Sequence, residues 1–379
     1  MIRTLFVTHT LDFTAGGAER VLYEVLLRLD RERFAPRVFT AADPDGVPEA
    51  FRDLGVPIEE GRYLPVGVGL HPRGLVETLA AFISLARALG RALDRDPVDV
   101  VYVNSIFALH FAMTPCTRRG IPIVFHEHGL PHLRAGSLWS LGYRRRLPRF
   151  AHVVAITNAV RDEVIENGLD PDRVTTVYNG IDARAPTSDE PKREGFAIAQ
   201  VANFLDWKGQ DIVVEAMKTL RERVPDATIT FFGTVKDDEY HDGVRARVSA
   251  LGLEDAVEFG GFREDLSRLL PTFDALVVAS KAEPFGLVLL EGMRAGLGVV
   301  GSASGGVPEI VEDGVNGLLF EPGNAEALAD AFVQLATDPE TKHRLVAAGE
   351  RTVRDVFSLE AQLAGIQAVI EHVAEAPLS

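Results

Sequence analysis

Short β-rich runs alternate with helix-period segments along this chain, stop at one polar stretch, and then begin again. In the first half the runs are Thr4 to Thr8, Val98 to Val103, Ile121 to Phe125, Val153 to Ile156 and Val174 to Tyr178, with helical segments such as 18–29 and 158–167 between them. This alternation predicts a parallel sheet covered on both faces, because a crossover helix is what returns the chain to start the next strand in the same direction. Residues 182–195 are polar and rich in turn formers with no apolar period, which marks an interdomain linker. Beyond them strands are expected near Phe196 to Val201, Thr228 to Phe232, Val257 to Phe259, Ala275 to Ala279 and Val299 to Gly301. A length of 379 residues exceeds one ordinary core and fits two. The expected fold class is α/β, with two Rossmann-like, doubly wound parallel-sheet domains facing each other across a cleft. Their bounds are 1–183 and 184–358, followed by a closing helical segment, 359–379.

Charge and cysteine usage narrow the partners. A net charge of −16 argues against nucleic acid, whose phosphates would be repelled. The single cysteine, Cys116, rules out an intramolecular disulfide and fits a reducing cytoplasm. The apolar part of Met1 to His9 is too short for a signal peptide and reads as a first strand. The longest apolar candidate, Gly74 to Leu93, carries Glu77, Arg87 and Arg91 and reads as a packed amphipathic helix rather than a membrane span.

The chemistry concentrates in residues 280–296, where the apolar run Ala275 to Ala279 passes into a helix-period segment. Ligands of doubly wound sheets bind at such turns. Pro284 pushes Glu283 towards extended backbone and itself suits a first helical position. The amides of Phe285, Gly286 and Leu287 then lack partners inside the helix and, with the helix dipole, favour an anion. Glu291 follows about a turn and a half later, and its carboxylate leans back towards the same end. Two acceptor-only carboxylates around one anion site suit a molecule with polyol ends and an anionic middle, as in a nucleotide sugar.

Three further turns carry signals. The first 191 residues contain no lysine, so Lys208, in the turn after the second half's first strand, is an exception in an arginine-preferring chain. A compact ammonium there can neutralise a departing phosphate. Gly16-Gly17 in the first half lets backbone approach a ligand, and Gly305-Gly306 follows the strand at Val299.

With these residues assembled, the chain resembles a family 4 glycosyltransferase of the GT-B architecture. The resemblance runs nearly end to end. It joins Gly16-Gly17-Ala18-Glu19, Tyr178-Asn179-Gly180-Ile181-Asp182, Lys208-Gly209, Gly261-Phe262-Arg263, the pair Glu283 and Glu291, Gly305-Gly306 with Pro308-Glu309, and Asn316-Gly317-Leu318-Leu319. It implies transfer of a sugar from a UDP- or GDP-sugar to an acceptor hydroxyl, with retention of anomeric configuration and without metal or cofactor. The setting it suggests is cell-surface polysaccharide or glycolipid synthesis.

By the same resemblance Glu291 holds the ribose hydroxyls, and Glu283 those of the transferred sugar. The amides of Phe285, Gly286 and Leu287, with Lys208, hold the diphosphate, the backbone near Phe262 meets the base, and Gly17 lies under the phosphate or acceptor. The catalytic histidine falls at His128, with His126 and Glu127 as competitors, and the last helix crosses back to the first domain. Three positions depart from the family pattern. Asn203 replaces a usual arginine, which implies either weaker stabilisation of the leaving group or substitution by another arginine such as Arg263, while Gly298 and Gly292 replace proline and alanine.

Residues 118–150 contain seven arginines and one acid, Glu127. Trp139 with Arg144, Arg145 and Arg146 mixes aromatic and basic residues as interfacial helices do, and suits a peripheral contact with an anionic membrane at its inner face or a glycan or lipid-linked acceptor. No Asp-x-Asp stands in a metal-binding context, so no metal is expected. A non-hydrolysing sugar-nucleotide epimerase and a non-catalytic sugar-nucleotide-binding protein remain as alternatives.

Overall fold

The computed structural model describes residues 1–13, 17–63, 72–130 and 152–376. Their contacts form two compact units, one of residues 1–178 with 360–379, the other of residues 179–359.

In the first unit, β1 (Ile2–Val7), β2 (Phe34–Ala41), β3 (Ile58–Gly61), β4 (Val100–Val103), β5 (Ile123–Glu127), β6 (His152–Ala155) and β7 (Val174–Thr176) form a sheet in the order β3-β2-β1-β4-β5-β6-β7. In the second, β8 (Ala197–Val201), β9 (Thr228–Phe232), β10 (Val257–Gly261), β11 (Ala275–Val278), β12 (Gly298–Ser302) and β13 (Leu318–Phe320) run in the order β10-β9-β8-β11-β12-β13. The ladders are parallel. Each residue of β4 and of β11 is buried, as expected of central strands covered on both faces.

Strands β2, β3 and β13 are additional to those expected from the sequence. Pro36 sits inside β2, paired with Thr4 of β1. Val38 donates its N–H to Pro57, on the β3 side, and residues two apart along a strand face the same way. The donor that Pro36 lacks would therefore face the β3 side at a level where β3 has not yet begun, since its pairing starts at Val38 and Ile58.

Residues 182–195 belong to the second unit. Their tail is fastened there: the Arg193 amide donates to the Thr272 carbonyl at 3.1 Å, Lys192 Nζ donates to the Phe273 carbonyl at 2.8 Å, and the Arg193 guanidinium lies over the Phe273 ring. The helix Pro72–Arg95 buries Ala81, Leu85, Leu89 and Ala92 at helical spacing, as an amphipathic helix does. Among the described residues no helix is long and apolar enough to cross a membrane.

The final helix, Leu359–Glu375, belongs to the first unit from Glu360 onward. Ile366, Val369, Ile370 and Val373 recur at helical spacing and enter the core with Phe6, Leu22, Val100 and Tyr102, and Arg33 pairs with Glu371. Ile370 is 0% exposed. Ile370→Ala should lower unfolding free energy by about 2–5 kcal/mol through lost burial and an unfilled cavity. Urea denaturation checks this, and an unchanged midpoint would mean that the helix adds nothing to the first unit.

Candidate functional site

In a parallel sheet every strand delivers its following loop to the same edge, and a gap between loops opens where strand order reverses. In the second unit that reversal lies between β8 and β11, because β9 and β10 extend to one side and β12 and β13 to the other. Lys208 ends the short 3-10 turn Asp206–Lys208 after β8, and Glu283 lies in the loop after β11. Lys208 Nζ is 2.7 Å from Glu283 Oε2, with side chains only 18% and 12% exposed. Ser280 Oγ donates to the same carboxylate oxygen at 2.8 Å, and the Lys208 ammonium stands 4.0 Å above the Trp207 ring. The switch point thus holds an ammonium and a carboxylate, each fixed by a second contact.

Backbone interlocks hold the three loops around that pair. The Lys281 amide donates to the Trp207 carbonyl at 2.8 Å, and Gly209 lies so close to the end of β11 that an added Cβ would stand 2.2 Å from the Ala279 oxygen. The Gly306 amide donates to the Glu283 carbonyl at 2.8 Å. Gly305, at φ +55°, would bring a Cβ within 2.1 Å of that oxygen. Ser302 and Ser304 both donate to the Ser280 carbonyl, and Gln200 Nε2 donates to the Lys208 carbonyl. None of Gln200, Ser280, Ser302 and Ser304 was assigned a role from sequence. Their shared signal is a small or amide side chain at or beside a strand end.

The helix behind Glu283 corrects one expectation. It spans Leu287–Arg294, so neither Pro284 nor Phe285 is in its first turn. Gly286 precedes it at φ +101°, a region closed to other residues, and its carbonyl accepts from the Leu289 amide at 2.8 Å. The φ of Pro284 suits a helix start, but Gly286 two residues later turns the chain before the helix begins. Leu287 and Val288 now supply the amides that an α-helix cannot satisfy internally, and Glu291 is the helix's fifth residue. Phe285 is buried against Phe357.

The flanking residues are placed as follows. Asn203 stands where the resemblance expects arginine, and its Oδ1 accepts from the Thr234 amide at 3.1 Å, which ties the loop after β8 to the loop after β9. Arg263 forms a two-pronged pair with Asp265 in its own loop, both bonds 2.8 Å, and so has a partner already. Phe262, just beyond β10, is 52% exposed.

The first unit has its own switch point, between β1 and β4. Gly17 opens the helix Gly17–Arg28 after β1, and His128 follows β5. Its competitors lie inside the fold. His126 is 1% exposed, its Nδ1 is 2.7 Å from the Tyr102 hydroxyl, and burial drives its pKa well below the usual imidazole range. Glu127 is equally buried and accepts the Gly129 amide. His128 is half-buried, and its Nε2 lies 3.2 Å from Asn104 Oδ1. Trp139, Arg144, Arg145 and Arg146 lie outside the described residues. Among the described residues no group of three or more His, Cys, Asp or Glu side chains is placed to share a metal ion.

A sequence model of the glycosyl transferases group 1 matches residues 185–352, and one of glycosyltransferase family 4 matches residues 15–185. The chain belongs to the family 4 glycosyltransferases, on the GT-B fold. The N-acetyl-alpha-D-glucosaminyl L-malate synthase of Bacillus anthracis is 28% identical over 291 residues, 73% of this chain and 74% of that one. The D-inositol 3-phosphate glycosyltransferase of Frankia alni is 27% identical over 366 residues, 88% and 89% of the two. Among solved structures, Anabaena HepE in complex with UDP-glucose has a TM-score of 0.84 at 24% identity, covering 99% of this chain and 100% of that one. This last likeness is one of fold.

Glu19, the last residue of the Gly16-Gly17-Ala18-Glu19 motif, is 3% exposed near the start of its helix, and burial raises its carboxyl from the ordinary 4.5 to about 7. Its proton is therefore kept in the folded state while the unfolded chain has lost it. The stability this contributes is present in full below 4.5 and disappears as pH rises through 7. Glu19→Gln should gain on the wild type by about 3 kcal/mol over that interval. Denaturation at several pH values tests this, and a parallel pair of stability curves would exclude it.

Proposed function

We propose that this glycosyltransferase moves a sugar from a nucleoside-diphosphate sugar to an acceptor hydroxyl, with retention of anomeric configuration and without a metal. The observation that carries the reading is the Lys208–Glu283 pair at the second unit's switch point, next to the first turn of Leu287–Arg294.

In this reading the diphosphate is held by Lys208 and by amides at the start of that helix, from Gly286 to Val288. Cleavage of the anomeric C–O bond leaves negative charge on the departing phosphate oxygen. A preorganised ammonium and helix-end amides favour that charge more as it grows, which lowers the barrier. Glu283, relieved of part of its pairing with Lys208, accepts hydrogen bonds from hydroxyls of the transferred sugar, and Glu291 accepts those of the ribose. Phe262 offers an exposed ring and backbone to the base. In the first unit, His128 and Gly17 are the candidate ligand contacts.

A lysine can take the neutralising role that a divalent cation has in other transferases, which supports metal independence. UDP-glucose bound to HepE makes UDP-sugars the first donors to test, ahead of GDP-sugars. Malate and inositol 3-phosphate, in the names of the two relatives, are anionic polyol or hydroxy-acid acceptors. The arginines of residues 118–150, Arg144 to Arg146 among them, suit such an acceptor or a lipid-linked phosphate at a membrane surface in glycan or glycolipid synthesis.

Lys208→Ala and Glu283→Ala should each lower transfer on the order of a hundredfold while cooperative thermal unfolding persists. Donor is identified by thermal stabilisation across UDP-, GDP- and ADP-sugars, and transfer by product analysis with and without acceptor. Near wild-type turnover in either variant would end the assignment, and isomerised donor without acceptor would reassign the protein as an epimerase. EDTA should leave the rate unchanged, and activity restored only by a divalent cation would overturn the metal-free part.

A further inference from the structure

Two ion pairs of opposite sense join the loops that flank the second unit's reversal, 202–209 after β8 and 279–286 after β11. In the inner pair the first loop gives the lysine and the second the acid, Lys208 with Glu283. In the outer pair the roles are exchanged, and Lys281 Nζ lies 3.4 Å from Asp206 Oδ2. The Lys281 amide also donates to the Trp207 carbonyl at 2.8 Å. Lys281 is therefore rooted two residues before Glu283 and across one backbone bond from the residue that precedes Lys208.

Charge gives this second lysine something to do. The two loops carry Lys208 and Lys281 against Asp206 and Glu283, and the helix behind them adds Glu291, so carboxylates outnumber ammonium groups. A diphosphate brings more negative charge to the same place, and Lys208 is already shared with Glu283. Asn203 is neutral, and Arg263 is held by two bonds to Asp265 within its own loop.

The Lys281 pair is of another kind. It is a single long contact between side chains 53% and 69% exposed, and such a pair contributes little and is weakened by salt. When it opens, Asp206 keeps its water. An ammonium on a phosphate oxygen makes a charge-assisted bond, stronger than the exposed pair that it replaces. Lys208, less than a fifth exposed and set over the Trp207 ring, is a fixed charge by comparison.

We propose that Lys281 is a second diphosphate-binding cation, which exchanges Asp206 for a phosphate oxygen as the donor binds. The assignment rests on the glycosyl-transfer reading above. Lys208 meets the diphosphate from the floor of the switch point, and Lys281 reaches it from the exposed side by rotation about its four-carbon stem. Asp206 is the partner to which the ammonium returns when the nucleotide leaves.

Calorimetric titration of the full-length chain with UDP, GDP and ADP, each beside its own nucleoside, separates the phosphate contact from those of base and ribose. For a diphosphate that binds, Lys281→Ala should weaken affinity about tenfold and flatten its dependence on salt, with the nucleoside unaffected. Lys281→Arg should keep most of the affinity, and Asp206→Asn should bind at least as tightly as the wild type. Lys218→Ala, which removes an exposed lysine from the helix Gln210–Arg223, should change nothing. Acetylation of the wild-type lysines, read by mass spectrometry, needs no variant: the diphosphate should shield Lys281 and its nucleoside should not.

Equal affinity in the wild type and Lys281→Ala overturns the proposal, as does acetylation of Lys281 at one rate with and without diphosphate. An equal loss for diphosphate and nucleoside would make Lys281 a support for the loop, and weaker binding by Asp206→Asn would make the outer pair a fixed strut; either result overturns the exchange. Failure of all three diphosphates to bind the wild type would overturn the nucleotide-sugar reading itself, and the role of Lys281 with it.

Discussion

An ammonium and a carboxylate less than a fifth exposed lose much of their hydration, and their attraction repays that loss only when neither can drift. The Lys208–Glu283 pair meets this condition through the backbone beneath it. The loop after β8 is bonded to the loop after β11 by Lys281 and Trp207, and that loop is bonded to the one after β12 by Glu283 and Gly306. The parallel ladder brings the three loops to one edge, and the reversal between β8 and β11 leaves room between the first two. Sheet order, loop bonds and ion pair are therefore successive consequences of one topology. A charge already oriented in this way needs no rearrangement when negative charge develops beside it.

Much of the fold was legible because central strands of parallel sheets are apolar on both faces. Val100 to Val103 and Ala275 to Val278 announce themselves by composition alone. The outer strands do not. β2 contains a proline tolerated only because of where its neighbour begins, β3 carries two glutamates, and β13 is three residues long. The polar stretch 182–195 read as a linker because it has no period, yet its tail is fastened by bonds to residues about eighty positions away, which no local window can reveal.

At the candidate site the residues whose chemistry stands out were the legible ones. Two glutamates around a helix start, and a lysine where arginine is the rule, can be found by type and spacing. The helix start itself was misjudged because Pro284 and Gly286 compete to set the backbone, and glycine at positive φ prevailed. Ser280, Ser302, Ser304 and Gln200 carry no such distinction. Their importance comes from standing at the ends of parallel strands, so they become readable only once strand order is known. A practical rule is to inspect the residue after every parallel strand beside a reversal, whatever its type.

Because Gly209 and Gly305 leave no room for even a methyl group against the carbonyls they face, any side chain placed there would force the interlocked loops apart. Changes of specificity on such a scaffold would therefore come from exchanging exposed side chains, Phe262 foremost, and hardly at all from lengthening or grafting segments. Laboratory libraries built on this chain would be richest when they vary those side chains and leave the glycines untouched.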